Sequence, residues 1–374
     1  MNPIQRALLA PAAIGASLLV AACTATPEAT QGSPSETSQV AAPSGPSAPA
    51  SAAIMADAPK TVATGLDAPW SVVFRDGTPL VSERDSGRIL ELSATGAART
   101  LGSVPGVAGI GEGGLLGLAV DGRGRLYVYS TGAEGNRIQR FDVTGQPGSL
   151  ALGEPETLLD GIAAASYHDG GRMAFGPDGM LYISTGDAGQ RDSAQDLASL
   201  NGKILRMTPD GGIPEDNPFP GSLVYSYGHR NPQGFAWAAD GTMFSTEFGH
   251  NAWDELNIIT AGANYGWPAA EGITNTEGFT DPVQQWAPAE ASPSGLVHID
   301  GTLFIANLRG QVLRAVPVAE PSTSESYLDG GFCRIRDVAE APDGMLWFVT
   351  NNTDGRGTPG PDDDRILSVK PERK

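Results

Sequence analysis

GRMAFGPDGMLYISTGD (171–187) is the stretch of this chain that decides the fold. It contains an apolar segment, a turn of Gly, Pro and Asp residues, and a second apolar segment that ends in small and polar residues. Two short apolar runs on either side of a Gly/Asp turn are typical of an antiparallel hairpin. The same unit recurs along the chain, so the stretch predicts a repeated β architecture.

Six copies of this unit follow one another at intervals of roughly 45–60 residues, which suits a four-stranded unit with variable loops. The copies are PWSVVFRDGTPLVSE (69–83), LLGLAVDGRGRLYVYST (115–131), GRMAFGPDGMLYISTGD (171–187), GFAWAADGTMFSTEFG (234–249), GLVHIDGTLFIANLRG (295–310) and DVAEAPDGMLWFVTNN (337–352). A sandwich would not repeat its turn chemistry six times, and seven or eight blades would need further copies. We therefore predict an all-β, six-bladed β-propeller over residues 61–374.

The N-terminal region predicts export and a lipid anchor. Arg6 and the apolar run 7–20 resemble a signal peptide, and small residues precede Cys23 as in a bacterial lipobox. We expect residues 1–23 to be the signal and Cys23 to be lipidated; the alternative is an ordinary signal peptide cut nearby. Residues 24–60 have few large apolar side chains and predict a disordered tether. The protein would then be anchored to the cell membrane and face outside the cytoplasm.

Composition narrows the choice of partners. The formal net charge of −19 argues against nucleic acid, and against a membrane contact other than the lipid anchor. A surplus of carboxylates suits an extracellular calcium site. The run TEFGHNAWDELNIITAGANYGWP (246–268) offers carbonyls and carboxylates that such an ion could use, although it matches no EF-hand loop.

His168 is the candidate general base. It lies in YHDGGR (167–172), directly before the third repeat, where a rigid sheet would hold a loop in place. The residues alone also allow a structural histidine that caps the Gly-Gly turn. His229, in YSYGHRNPQGFAW (225–237), is expected to pack against or orient Arg230 rather than react.

Several arginines stand out in an otherwise acidic chain. Arg230 with Asn231, then Arg309, Arg334 and Arg336 all fall at the entrances or exits of predicted blades. Guanidinium groups bind carboxylates with two parallel hydrogen bonds, so a converging set predicts a small polyanionic ligand. For any one arginine, pairing with a nearby Asp or Glu is the alternative.

These motifs together resemble the soluble PQQ-dependent sugar dehydrogenases of the glucose/sorbosone dehydrogenase family. The resemblance extends from Gly65 to the C-terminus and is carried by runs in the family's order. They are PWSVVF, GEGGLLGLAVD, YHDGGRMAFGPDGMLYISTGDAG, QDLASLNGKILRMTPDG, VYSYGHRNPQGFAW, TEFGHNAWDELN, NYGWP, SPSG and RIRDV. The family is a six-bladed propeller, which agrees with the repeat count.

The resemblance implies a chemistry and a role for each candidate. His168 would take the proton of the anomeric hydroxyl of an aldose while hydride passes to PQQ, and Arg230 would stabilise charge on the quinone oxygens. The implied PQQ-binding residues are Glu112, Asn231, Arg309, Arg334 and Arg336. Ca²⁺ would take backbone oxygens of Gly249 and His250. The product would be a lactone, and an external acceptor would take the electrons.

Three positions depart from the family pattern as the resemblance presents it. Asp169 follows the base where Asn is usual, His250 stands where Pro is usual, and Arg309 replaces a common Lys. Two other functions fit the same fold. One is a calcium-dependent propeller lactonase, which would have no use for the arginine set. The other is a non-catalytic propeller that binds glycans or proteins at the cell surface.

Overall fold

A computed structural model describes residues 54–55 and 57–372 of the chain. The expected signal peptide with Cys23, and the expected tether up to residue 53, lie outside these residues. Ile54–Met55 forms β1, and β2 (Lys60–Ala63) begins one residue before the expected start of the propeller. In the described part of the chain, no helix is both long and apolar enough to cross a bilayer.

Residues 57–372 contain six four-stranded antiparallel sheets, which confirms the prediction of six blades. Blade 1 has β3 (Pro69–Arg75), β4 (Thr78–Glu83), β5 (Arg88–Leu92) and β6 (Ala98–Ser103). Blade 2 has β7 (Leu115–Val120), β8 (Leu126–Gly132), β9 (Gly135–Thr144) and β10 (Ala151–Ile162). Blade 3 has β11 (Met173–Phe175), β12 (Leu181–Thr185), β13 (Lys203–Met207) and β14 (Val224–Tyr227), with a 3₁₀ helix at Arg191–Ala194 between β12 and β13.

The remaining blades follow the same order. Blade 4 has β15 (Pro232–Trp237), β16 (Met243–Glu247), β17 (Asp254–Ile259) and β18 (Gln284–Trp286). Blade 5 has β19 (Pro293–Ile299), β20 (Thr302–Asn307), β21 (Leu313–Pro317) and β22 (Glu325–Tyr327). Blade 6 has β23 (Ile335–Glu340), β24 (Leu346–Thr350) and β25 (Ile366–Val369), and β2 is its fourth strand. β26 (Pro371–Glu372) pairs with β1.

Each sequence repeat corresponds to the inner hairpin of one blade, and the turn residues explain why. In blade 1 the two residues Asp76 and Gly77 join β3 to β4 with φ of 47° and 82°. Two successive positive φ values define the tight turn that matches strand twist, and Asp-Gly adopts it readily. Asp300 and Gly301 repeat this turn in blade 5, with φ of 50° and 80°.

The ring closes without an exposed end between the first and last blades. The inner strands pack in the order β3, β7, β11, β15, β19 and β23, and β23 packs against β3. Apolar side chains fill the spaces between neighbouring blades; Leu116, Tyr127 and Ile183, for example, are essentially buried in one cluster. The N-terminal strand β2 completes blade 6, so the two ends of the propeller are held in one sheet.

Candidate active site

One face of the propeller collects the candidate residues because of how the blades are connected. Inner strands begin at this face, and the second strand of each blade ends there. His168 lies just before β11, Arg230 and Asn231 lie just before β15, and Arg336 lies near the start of β23. Residues that are up to 168 positions apart in the sequence, such as His168 and Arg336, therefore lie at one end of the channel.

His168 is held in a conformation that its loop dictates. Its φ is 61°, and its N–H donates to Glu112 Oε2 at 2.8 Å. Its carbonyl approaches Gly186 so closely that a Cβ on Gly186 would lie 1.8 Å from the oxygen, which only glycine permits. The imidazole Nδ1 lies 2.7 Å from Asp187 Oδ1. This contact leaves Nε2 as the ring nitrogen that a substrate can reach.

Asp187 is the buried partner that orients this imidazole. Its Oδ2 accepts a hydrogen bond from Trp267 Nε1 at 2.8 Å, and its Oδ1 also accepts the N–H of Gly189 at 2.8 Å. Burial alone would raise the pKa of Asp187, but the hydrogen bond and charge of His168, with the other two donors, hold that pKa below its ordinary value. Asp187 is therefore ionised at neutral pH and favours the tautomer with the proton on Nδ1.

Glu247 positions Arg230 and Asn231. Its Oε1 accepts the backbone N–H groups of both residues, and its Oε2 lies 2.9 Å from His229 Nδ1. His229 is fully buried and stacks on Tyr265, as expected for a residue that packs rather than reacts. Arg230 Nη1 donates to the carbonyl of Phe248 at 2.9 Å, and its guanidinium lies 5.5 Å from the centre of the Trp267 ring.

A narrow cleft, with a cavity volume of about 20 Å³, opens beside these residues. Its lining comprises Trp70, Arg84, Glu112, Asp169, Gly170, Gln233, Phe248, Arg336 and Arg356. The buried donors around it that have no hydrogen-bond partner among the described residues include Arg230 Nε, Asn231 Nδ2 and Arg336 Nε. Buried donors are normally satisfied, so this set indicates a place for an acceptor-rich ligand.

Arg336 is a buried arginine whose charged form is strongly disfavoured by desolvation. Burial lowers its pKa to about 9, with the nearby Arg334 and Arg84 acting in the same direction and Asp354 opposing them. Its Nη1 reaches only neutral acceptors, Gln233 Oε1 and Ser294 Oγ, both at 3.3 Å. A buried cation without a paired anion is unfavourable, so the site is complementary to an anionic ligand.

Two of the expected cofactor residues, Arg334 and Arg309, have surroundings that differ from those of the unpaired donors. Arg334 donates to Asp354 Oδ2 at 2.9 Å, so it has a partner within the chain. Arg309 is exposed, and its charge acts on the buried Asp254, whose pKa burial raises to about 6. His168, Arg230, Asn231, Glu112 and Arg336, in contrast, are linked around the cleft.

The segment that was expected to bind calcium forms a loop around Glu271. Glu271 Oε1 accepts four successive backbone N–H groups, from His250 at 2.6 Å to Trp253 at 3.2 Å. In a trans peptide the carbonyl points away from the N–H. The carbonyls of Gly249 and His250 therefore point away from Glu271, as ligands for an external cation would. No group of three His, Cys, Asp or Glu side chains within residues 57–372 has a metal-binding arrangement.

Three residues at this face, Asp187, Trp267 and Arg356, make contacts that the sequence does not indicate. In the sequence, Asp187 is simply the polar residue that ends the third repeat, and Trp267 is part of NYGWP. Neither position indicates the contact with His168 or between the two residues. Arg356 lies in the Gly-, Pro- and Asp-rich loop 353–365 between β24 and β25, and its Nη1 donates to Glu112 Oε1 at 3.0 Å, so it lines the cleft. Nothing in the local sequence marks that long-range contact.

Comparison with known proteins agrees with the geometry. The family model described as Glucose / Sorbosone dehydrogenase matches residues 66–358. The chain belongs to the glucose/sorbosone dehydrogenase family. Within that family, its structure matches the PQQ-bound form of an aldose sugar dehydrogenase from Streptomyces coelicolor, with a TM-score of 0.81 and 48% identity over 87% of this chain and 99% of that chain.

Two relatives from other bacteria extend the comparison. An aldose sugar dehydrogenase of Escherichia coli is 31% identical over 332 residues, which cover 78% of this chain and 89% of the relative. Quinoprotein glucose dehydrogenase B of Acinetobacter calcoaceticus is 32% identical over 260 residues, which cover 59% of this chain. That match spans only 54% of the Acinetobacter protein.

Proposed function

We propose that this protein oxidises aldose sugars at the anomeric carbon to lactones, with PQQ as bound cofactor and Ca²⁺ as bound ion. The observation that carries the proposal is the set of three unpaired buried donors, on Arg230, Asn231 and Arg336, beside a histidine held by an ionised carboxylate. PQQ is a tricarboxylated orthoquinone, so its oxygens match those donors. Family membership and the PQQ-bound relative support the same assignment.

PQQ, when bound, supplies the acceptor for the hydride of the anomeric carbon and releases electrons to an external acceptor. The chain's own residues handle the proton. His168 Nε2 accepts the proton of the anomeric hydroxyl, and Asp187 stabilises the imidazolium that results. Arg230, Asn231 and Arg336 hold the oxygens of the cofactor, and Glu112 keeps the backbone of His168 in place through its 2.8 Å hydrogen bond.

We propose that the loop around Glu271 binds the calcium ion. The carbonyls of Gly249 and His250 would ligate the ion, and a carbonyl is a ligand that Ca²⁺ accepts readily. Arg309 and Arg334 would add contacts to carboxylates and carbonyls of PQQ, as the family resemblance implies. We further propose that the protein is exported and lipid-anchored through Cys23, as the N-terminal sequence indicates.

The donor set favours this function over the alternatives. A lactonase site would have no use for unpaired N–H donors, whereas three of them, on Arg230, Asn231 and Arg336, lie around this cleft. A non-catalytic binding propeller would not require Asp187 to hold His168 at hydrogen-bond distance. These differences support an oxidoreductase that binds an anionic cofactor.

Reconstitution tests the proposed function directly. Protein purified without cofactor is mixed with PQQ and Ca²⁺, and reduction of a dye is followed across a panel of aldoses. We expect turnover only when both additions are present, and formation of the lactone. Binding of PQQ without turnover of any aldose would contradict the proposed reaction, and failure to bind PQQ would contradict the cofactor assignment.

Arg230→Ala is expected to lower the rate of cofactor reduction by about 10²-fold, because a preorganised charge is lost where negative charge develops. Single-turnover reduction of PQQ measures this step apart from reoxidation. Arg314→Ala is the matched control: Arg314 also lies over a tryptophan, Trp286, at 4.7 Å, but on β21. An equal loss of rate in both variants would remove Arg230 from the reaction.

Glu271→Ala is expected to raise the Ca²⁺ concentration for half-maximal reconstitution by about 10- to 100-fold, as loss of a residue that orients metal ligands does. The physical reason is that four N–H groups lose their shared acceptor, so the carbonyls they orient lose their direction. Calcium titration at saturating PQQ gives the measurement. Glu277→Ala, at an exposed position of the same connection, should leave the requirement unchanged; a change as large as in Glu271→Ala would contradict the role of the loop.

A further inference from the structure

Asp169 has an unusual hydrogen-bond pattern for a buried carboxyl group. It follows His168 directly and is 2% exposed. Its Oδ1 accepts two hydrogen bonds, from Asn136 Nδ2 and from the N–H of Ala165, both at 3.1 Å. Its Oδ2 is equally buried but has no partner within the part of the chain that the structure describes. The residue lines the same cleft as Arg336 and Gln233.

The charged and titratable groups around Asp169 come from every neighbouring element: Glu112, His168, Arg84, Arg336, Arg356 and Tyr129. Among the described residues, no ion pair joins any of these three arginines to Asp169. Arg84 pairs with Asp85 at 2.6 Å, and Arg356 pairs with Glu112 at 3.0 Å. Arg336 donates to the neutral Gln233.

These surroundings stabilise the protonated form more than water would, and they determine where the proton lies. Burial raises the pKa of Asp169 to about 6; the hydrogen bonds from Asn136 and Ala165 work against this rise, and the charge of Glu112 adds to it. Since Oδ1 already accepts two hydrogen bonds, the proton belongs on Oδ2. A protonated Asp169 therefore presents an O–H donor at the wall of the cleft.

We propose that Asp169 is a PQQ-binding residue that acts in its protonated form, with Oδ2–H donating to an oxygen of the cofactor. This inference rests on the proposed function, because it takes PQQ as the ligand of the cleft. Its consequence is that cofactor binding depends on pH. An ionised Asp169 would face an anion with a carboxylate and lose its donor, so both changes oppose binding.

The titration of the Asp169 carboxyl sets the direction and size of the pH effect on PQQ affinity. Below pH 6 the binding form predominates, and above it the apparent affinity falls with the protonated fraction, by about tenfold per pH unit. At pH 8 the affinity of the native protein should be up to about 100-fold below its value at pH 5. Asp169→Asn keeps a donor at the position of Oδ2 and cannot ionise. It should therefore bind PQQ with nearly constant affinity over this range.

The test measures the dissociation constant of PQQ by calorimetry from pH 5 to pH 8.5, at constant ionic strength and Ca²⁺ concentration. The proteins are the native chain, Asp169→Asn, Asp169→Ala and, as a matched control, Asp142→Asn at an exposed position of β9. Asp169→Ala has no donor and should bind weakly at every pH. Asp142→Asn should follow the native protein.

A second readout needs no cofactor. A carboxyl whose pKa is raised in the folded state costs stability as pH rises from its ordinary value of 3.8 to the folded-state value of about 6, and the loss is complete above that. Cofactor-free Asp169→Asn should therefore melt above the native protein at pH 8, and the difference should shrink as pH falls from 6 toward 4. This comparison also shows that the variant folds.

The outcomes separate the two proposals. A native protein that binds no PQQ at any pH would overturn the proposed function itself. Native protein and Asp169→Asn with the same pH dependence would overturn the role of Asp169 and leave the function standing. Weaker binding of PQQ by Asp169→Asn than by the native protein at pH 8 would also overturn it. That result would mean that the ionised carboxylate binds PQQ better than the amide donor does.

Discussion

His168→Ala is expected to lower kcat by about 10²- to 10⁴-fold, the range that loss of a general base produces. The reason is that Nε2 is the ring nitrogen available to a substrate, since Asp187 holds Nδ1 at 2.7 Å. The affinity for PQQ should stay within about threefold, because the unpaired donors of the cleft are untouched. Steady-state dye reduction and calorimetric PQQ binding measure the two quantities.

His298→Ala is the matched control for the base. His298 lies near the end of β19, where its Nε2 accepts the N–H of Gly301 at 3.0 Å in the turn at the opposite end of the blade. Its removal should leave kcat unchanged. Activity of His168→Ala within a factor of ten of the native enzyme would exclude His168 as the base and reinstate its reading as a structural histidine.

Asp187→Asn is expected to lower kcat by about 10³-fold with little loss of stability. An asparagine amide can donate to Nδ1, which would place the imidazole proton on Nε2 and remove the lone pair that accepts the substrate proton. It also removes the charge that stabilises the imidazolium. The measurement is kcat as a function of pH together with the melting temperature, so that a folding defect is seen separately.

Two further variants sharpen this test. Trp267→Phe keeps an aromatic ring but removes the N–H that donates to Asp187 Oδ2 at 2.8 Å, so a smaller loss of kcat is expected. Asp178→Asn serves as control, because Asp178 pairs with Tyr182 and Arg206 at the other end of the same blade. Equal effects of Asp187→Asn and Asp178→Asn would point to general destabilisation and contradict the orienting role.

Much of the fold was accessible to sequence reasoning because its determinants are local. The pair Asp76 and Gly77 adopts the tight turn that joins two antiparallel strands. Each repeat has a Gly-containing turn at the same place, so each one predicts the inner hairpin of a blade. The pairing of β2 with β25 was not accessible. Lys60–Ala63 carries no mark that it completes a sheet whose other strands lie near the C-terminus, since strand pairing over this distance depends on ring closure.

The candidate site likewise has a part that the sequence predicts and a part that only the structure shows. His168, Arg230 and Asn231 occur in distinctive runs, and a shared face follows from the repeat. Whether an arginine is available to a ligand depends on its partners, and Arg334 has Asp354 while Arg336 has only neutral acceptors. The partners of Glu112 are equally remote: it accepts the N–H of His168 on one oxygen and Arg356 on the other.

The sequence by itself determined the β class, the number of blades and the residue types of the site, because turn propensity and apolar alternation act between neighbours in the chain. Only the tertiary structure decided which side chains are buried, which donors lack partners and which carboxyl groups have a raised pKa. These properties depend on desolvation and on contacts between distant loops. Asp169 illustrates the difference. Its identity can be read from the sequence, but its raised pKa comes from burial among groups that the ring brings together.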